Sequence, residues 1–295
     1  MSEHTAIHDD FAPLDRSFTQ LSPSVRTIVT EALSPRDRSL PVALCTLAGQ
    51  LGGRTAPELS ETEVSHIVEP VANAVSAFEG YVTIRLDLLT SDRYDRPTVR
   101  DAAVLASDYL HADAYERLAD APVPADRSLE LYRVLTGGST KLATQLLASA
   151  ANESTHADAE FAPTGTLVGT AGELGAAAVG SSDETRAAIE RYGRALATAL
   201  AADPSTGEVS RRDVTRILSG APPSAPVDDS ERVGDDRSRR TPSSERERHL
   251  ERAREAIERL NRDRPFETSR DERSPVARLE WATRIPFQHG ECDDG

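Results

Sequence analysis

Six long stretches of this chain repeat apolar residues every three or four positions, and almost none alternates them every two. They are "PVALCTLAGQL", "EVSHIVEPVANAVSAFEGYVTIRLDLL", "TVRDAAVLASDYLHADAYERL", "SLELYRVLTGGSTKLATQLLASAANE", "TGTLVGTAGELGAAAVG" and "DETRAAIERYGRALATALAA". Apolar residues at that spacing gather on one stripe of a helix, whereas a half-buried strand needs strict alternation. The pattern predicts an all-α domain, with roughly eight or more helices between residues 12 and 219. Its punctuation agrees. Ser60 precedes Glu61 and Glu63, and Ser182 precedes Asp183 and Glu184, so a capping oxygen and acids stand at the positive end of each helix. Gly52–Gly53 and Gly180 close apolar runs and read as stops. "LTGGSTK" contains the residue types of a phosphate loop, but its spacing is incomplete and no strand precedes it. It reads instead as a break between two helices.

With aromatic residues at only 4%, the core must be packed from Ala, Val and Leu. The net charge of −15 argues against nucleic acid and against an anionic membrane as partners. Lys141 is the only lysine, and every other basic side chain is Arg. Such a balance resembles proteins of a salt-rich cytoplasm, as in a halophilic archaeon, where a carboxylate-rich surface stays hydrated and its self-repulsion is screened. Cys45 and Cys292 are too few and too far apart for a disulfide framework, and Cys45 reads as a small buried hydrophobe. No segment has the length of a membrane span, and "MSEHTAIHDDF" is acidic, unlike a secretion signal. The expectation is a soluble, cytoplasmic protein.

The organisation follows from where apolar residues stop. Residues 1–12 read as a flexible N-terminus and 13–219 as the helical domain. Residues 220–245 are Pro, Ser, Asp and Arg with little to bury, and read as a disordered linker. Residues 246–284 hold two amphipathic helices expected to pack on the bundle, the first through Leu250, Ala253, Ala256, Ile257 and Leu260, the second ending near Trp281. Residues 285–295 read as a frayed tail.

The seven histidines show no paired ligand spacing, so no metal site is assigned to them. "HGECDD" reads as an acidic surface tail, and no Ser/His/Asp elbow is visible. Asp108 is the unusual carboxylate, set in an apolar run beside Val104, Leu105, Tyr109 and Ala112. It is either a buried carboxylate bound to a neighbouring helix end or an Arg, or an acid facing a cavity. The first reading is preferred.

Together these segments resemble the trans-isoprenyl (polyprenyl) diphosphate synthases. "RPTVRDAAVLASDYLHADAYERL" is similar to the stretch in which an Arg-Arg-Gly-x-Pro-Thr loop leads into a helix reading A-V-L-A-G-D-Y-L. "PTGTLVGTAGELGAAAVG" and "ERYGRALATAL" resemble the later K-T-G helix and the Y-G-R-x-L-G-x-A-F-Q segment, and "SLPVALCTLAGQLGG" the region after G-K-R-L-R-P. The matches are collinear over residues 35–203. The resemblance implies an isoprenyl-synthase-like helical bundle around a central cavity. It also implies Mg²⁺ held between two DDxxD motifs on facing helices, where an allylic diphosphate loses pyrophosphate and isopentenyl diphosphate attacks the cation. Mg²⁺ wants hard carboxylate oxygens plus substrate phosphates, which is why the motifs are acidic.

The departures fall on that chemistry. Aligned without gaps from Pro97, the first motif would occupy Ile84, Arg85 and Leu88, with only Asp87 and Asp92 nearby. The second would occupy Pro204, Ser205 and Glu208, with Asp203 just before. Asp37 and Leu40 replace the Lys and second Arg of G-K-R-L-R-P, Pro163 the Lys of K-T-G, and Tyr94 the second Arg of the pair. Scaffold positions such as Pro97, Thr98, Asp108, Tyr109, Gly175, Tyr192 and Gly193 are kept, and Asp108 then reads as the scaffold Asp of "GDYL". The catalytic candidates are Asp87, Asp92, Asp203 and Glu208, with Arg93 and Thr164 as diphosphate-binding candidates by resemblance. No metal ligand set is assigned, no cofactor is expected of a degenerate member, and Mg²⁺ is expected of an active one.

Three functions follow as expectations. The first is a catalytically degenerate polyprenyl synthetase-like subunit or regulator, dimerising with itself or with an active prenyl diphosphate synthase. The second is an active prenyltransferase with an altered metal site. The third is a module that binds a prenyl chain or another lipid.

Overall fold

Several helices begin at a capping side-chain oxygen. Ser39 Oγ accepts from the Val42 amide and Ser182 Oγ from that of Thr185. Ser60 closes a full capping box, its Oγ accepting from the Glu63 amide while Glu63 accepts from the Ser60 amide. The computed structural model describes residues 16–33, 39–54, 56, 58–150, 156–202, 207–221, 244–263 and 274–284. Its helices are α1 (Arg16–Gln20), α2 (Pro23–Ala32), α3 (Leu40–Gly53), α4 (Glu61–Thr90), α5 (Pro97–Ala119), α6 (Ala125–Ala150), α7 (His156–Ala178), α8 (Asp183–Ala201), α9 (Gly207–Leu218), α10 (Ser244–Asp263) and α11 (Pro275–Ala282). A 3₁₀ turn at Asp92–Tyr94 links α4 to α5. Among the described residues there is no strand, so the all-α expectation holds.

Two apolar clusters make the core. One joins α2, α4, α5 and α6 through residues such as Val29, Phe78, Leu110 and Leu135. The other joins α8, α9, α10 and α11 through Leu196, Ile217, Leu250 and Leu279. Helices α3 and α7 contribute to both and pack against each other, which makes them the central pair. Small residues permit that closeness, as the low aromatic content required. Cys45 is fully buried at this crossing, and burial pushes its thiol up to about 12, so it is an inert packing residue.

The predicted apolar face of α10 is the buried one. Leu250, Ala253, Ala256, Ile257 and Leu260 are all covered, and the helix packs along α8. Each fully buried Leu or Ile there contributes about 1.5–3 kcal/mol. Residues 1–15, 222–243 and 285–295, where the flexible ends and most of the linker were expected, lie outside the described residues.

Two expectations need correction. The break at "LTGGSTK" is absent, because α6 runs from Ala125 to Ala150 without interruption. Each Gly costs about 1 kcal/mol relative to Ala in a helix, but packing of α6 on α7 overrides that local preference. Gly138 is where the two helices approach, since a Cβ there would stand 2.5 Å from the Thr170 side chain. Gly52 and Gly53 are not the stop past α3 but its last two helical residues, fitted against Val179 and Val64. Gly180 does end α7 as read, with φ +76°, a conformation that costs Gly little.

Candidate functional site

The cavity nearest the sequence-predicted residues lies between α3, α4, α7 and α9 and has a volume of about 190 Å³. Its polar lining comes from Glu79, Thr83 and Asp87 on α4, Thr164 on α7 and Arg211 on α9, and its apolar lining includes Leu40, Val82 and Leu167. Two of the predicted residues, Asp87 and Thr164, are therefore brought together. Asp92 sits on the exposed 3₁₀ turn and is not part of the lining. Asp203 lies outside the described residues, and Glu208 is described only as the second residue of α9.

Arg93 is committed elsewhere. Its Nη1 donates to Asp87 Oδ2 at 3.0 Å and its Nη2 to Glu31 Oε2 at 2.8 Å, while its guanidinium lies 5.3 Å from the centre of the Tyr94 ring. Two carboxylates thus occupy both ends of the guanidinium. The side chain ties the turn after α4 back to α2.

Asp108 requires a correction. It is not buried: its side chain is 58% exposed and accepts from Arg85 Nη2 at 2.6 Å. The Arg partner was foreseen as one alternative, but the expected burial is not found. Helix α5 covers Ala103, Ala106, Leu110 and Ala114 instead, which leaves Leu105 and Asp108 on its outer side. The carboxylate that α5 does bury is Asp113, bound to Arg117 Nε at 2.6 Å. Beyond Asp108, His111 stacks on Tyr81 with ring centres 4.6 Å apart, and its Nε2 lies 2.7 Å from Ser139 Oγ.

The residue that sequence reasoning missed is Glu79. Ser39, itself fully buried, donates from Oγ to Glu79 Oε2 at 2.5 Å while capping α3. Burial raises the Glu79 carboxyl above the usual carboxylate range, partly offset by the Ser39 hydrogen bond and by the positive charge of Arg211. A signal existed, since Glu79 interrupts the apolar run "AVSAFEGYV" as conspicuously as Asp108 interrupts its own. Arg211 gave none, because "SRRDVTRIL" reads as an ordinary charged helix face.

The carboxylates of this cavity do not fit a shared Mg²⁺. Glu79 and Asp87 stand eight residues apart on one helix, about 12 Å along its axis, whereas oxygens sharing an ion lie about 2.1 Å from it. Among the described residues no group of three or more His, Cys, Asp or Glu side chains could hold a metal ion. The remaining chemistry is a protonatable carboxyl facing a cation across a small cavity.

No family model matches the sequence, and no curated protein matches it. Solved structures do. The chain is similar to a geranylgeranyl pyrophosphate synthetase from the archaeon Geoglobus acetivorans, with 16% identity, a TM-score of 0.58 and coverage of 90% of this chain and 92% of that one. It is similar to a polyprenyl synthetase from Streptomyces coelicolor, with 18% identity, a TM-score of 0.55 and coverage of 90% and 94%. A deletion mutant of the heterotetrameric geranyl pyrophosphate synthase of mint gives 14% identity, a TM-score of 0.54 and coverage of 92% and 93%. At such identities the likeness establishes the fold: this chain has the helical fold of the isoprenyl diphosphate synthases. Among the described residues no helix is long and apolar enough to cross a membrane.

Proposed function

We propose that this protein is a catalytically degenerate relative of the prenyl diphosphate synthases, acting as a subunit or regulator of an active one. The observation that carries the reading is Arg85. It stands where the resemblance puts the second Asp of the first motif, and it is ion-paired to Asp108 at 2.6 Å rather than poised toward a metal. A cation there repels Mg²⁺, and the two carboxylates left in the cavity are too far apart to hold one ion. Of the four large exposed apolar side chains among the described residues, three lie on α5 and α6: Leu105, Leu129 and Leu147. Leu147 is 72% exposed. These helices are accordingly the surface offered to a second chain, either another copy or an active synthase. The mint neighbour is itself named as heterotetrameric, which supports such an assembly here.

The test is affinity purification from the native cell, followed by product analysis after deletion. An active prenyl synthase should co-purify, and its rate or product length should change when this chain is removed. If no synthase associates and products are unaltered, the proposal fails.

A second reading, an active transferase with an altered metal site, is favoured only by Asp87, Thr164 and Arg211 sharing one cavity. Incubation with Mg²⁺ and allylic and isopentenyl diphosphates decides it, and turnover lost in Asp87→Asn would support it. In this cavity a prenyl-binding role is the least supported, since about 190 Å³ falls below the usual ligand-site range of roughly 300–1,000 Å³. The salt-rich cytoplasm proposed from the near-absence of Lys predicts a melting temperature that rises with KCl at molar concentrations.

A further inference from the structure

A larger cavity, of about 420 Å³, lies between α3 and the first half of α4 and extends to the end of α9 and to α11. Its volume is within the roughly 300–1,000 Å³ of small-molecule sites. Val42, Val64, Val68 and Ala72 give it an apolar wall, and Arg278 of α11 gives it a cation.

Arg278 is only 9% exposed, and no carboxylate among the described residues pairs with it. Its Nη1 donates to the Leu218 carbonyl at 3.0 Å, the free C-terminal end of α9, and its Nη2 to Gln50 Oε1 at 2.5 Å. Its Nε is buried without a hydrogen-bond partner. A buried arginine normally has a carboxylate or its equivalent, because an unmatched buried charge is costly. Burial, and then the neighbouring charge of Arg54, hold Arg278 below its ordinary pKa. Glu69 stands at the exposed rim of the cavity, which favours a ligand whose negative charge is confined to the Arg278 end.

We infer that this cavity binds a small amphiphilic anion, with a carboxylate or phosphate monoester head against the Arg278 guanidinium and a short apolar body along Val42, Val64, Val68 and Ala72. The head supplies the negative charge that no carboxylate among the described residues gives Arg278. The body fills the wall left open between α3 and α4. The site involves none of the residues of the smaller cavity, so it stands or falls separately from the proposed subunit role.

Trp281, the only tryptophan of the chain, lies one turn from Arg278 on α11 and reports on the site by fluorescence. The full-length protein is titrated with hexyl phosphate, hexanoate, inorganic phosphate and hexanol. At least one of the first two should give a saturable change, and their ratio identifies phosphate or carboxylate as the head. Inorganic phosphate and hexanol should each bind about tenfold more weakly or worse. Arg278→Met should weaken binding about tenfold or more. Ser65→Phe, which fills the cavity from an exposed rim position and leaves Arg278 intact, should weaken it as much even if the first variant fails to fold. The inference is overturned if neither anion binds at millimolar concentration, or if hexanol or inorganic phosphate binds as well as they do. Binding unaltered in Ser65→Phe, or in a folded Arg278→Met, also overturns it.

Discussion

Replacing Gly175 and Gly137 by Ala applies one chemical change to two helix interiors and should move stability in opposite directions. At Gly175 of α7, an added Cβ would stand 2.0 Å from the carbonyl oxygen of Cys45 and 2.7 Å from its carbonyl carbon. Relaxed contacts between heavy atoms lie at about 3.5–4.0 Å, so the central pair α3 and α7 would have to part by roughly 1.5 Å. Both offending atoms are backbone, and no side chain can turn away. Overpacking of this kind costs about 1–3 kcal/mol, and the rigid case belongs at the upper end. Ala recovers about 1 kcal/mol of helix propensity, leaving a net loss of about 2 kcal/mol. For a chain of this size that lowers the melting temperature by about 4–8 °C. At Gly137 of α6 nothing lies within 4 Å of the added Cβ, so only propensity acts. The gain is about 0.4–1 kcal/mol. Paired thermal and urea unfolding measures both. If Gly175→Ala is as stable as the parent, or if the two variants shift in the same direction, the close α3–α7 crossing is refuted.

Ser39→Ala removes the α3 cap and the hydrogen bond to Glu79 together, and should cost about 1–2 kcal/mol in chemical denaturation. Because burial raises the folded-state pKa of Glu79, the folded protein holds that proton more tightly than the unfolded chain. Its stabilising effect is therefore complete below the unfolded value of about 4.3 and is lost as pH rises through the folded one. Glu79→Gln should then be more stable than the parent at neutral pH, with the difference vanishing in acid; a constant difference across a pH series of unfolding curves would count against it. Tyr192→Phe deletes a buried hydrogen bond to the Leu279 carbonyl at 3.0 Å and leaves that acceptor unmatched. It should cost about 1–3 kcal/mol and red-shift the emission of Trp281 as α11 loosens.

Helix identity was legible because the apolar period and the capping oxygens are local. The Ser60 box, the Ser182 cap and the buried stripe of α10 all follow from neighbours within a few positions. The resemblance carried in "RPTVRDAAVLASDYL" likewise led to the fold that the solved structures share. What failed were readings that depend on which neighbour arrives. "LTGGSTK" stays helical because α7 packs on it, and Asp108 faces solvent because α5 turns its alanines inward.

The candidate site shows the same division. Asp87 was found from sequence because it stands beside the aligned first motif, and Thr164 because the K-T-G match gives it a position. Glu79 and Arg211 were not, since they come from α4 and α9, separated by more than a hundred residues, and meet only through packing. The sequence by itself determined the all-α class, the capped starts at Ser60 and Ser182, and the loss of acidic residues at Ile84, Arg85 and Leu88. Only the tertiary structure decided that Arg85 takes Asp108, that Arg93 is held by Asp87 and Glu31, and that Arg278 is buried with an unmatched Nε. Periodicity is a property of one helix, whereas pairing and desolvation of charge depend on several helices at once.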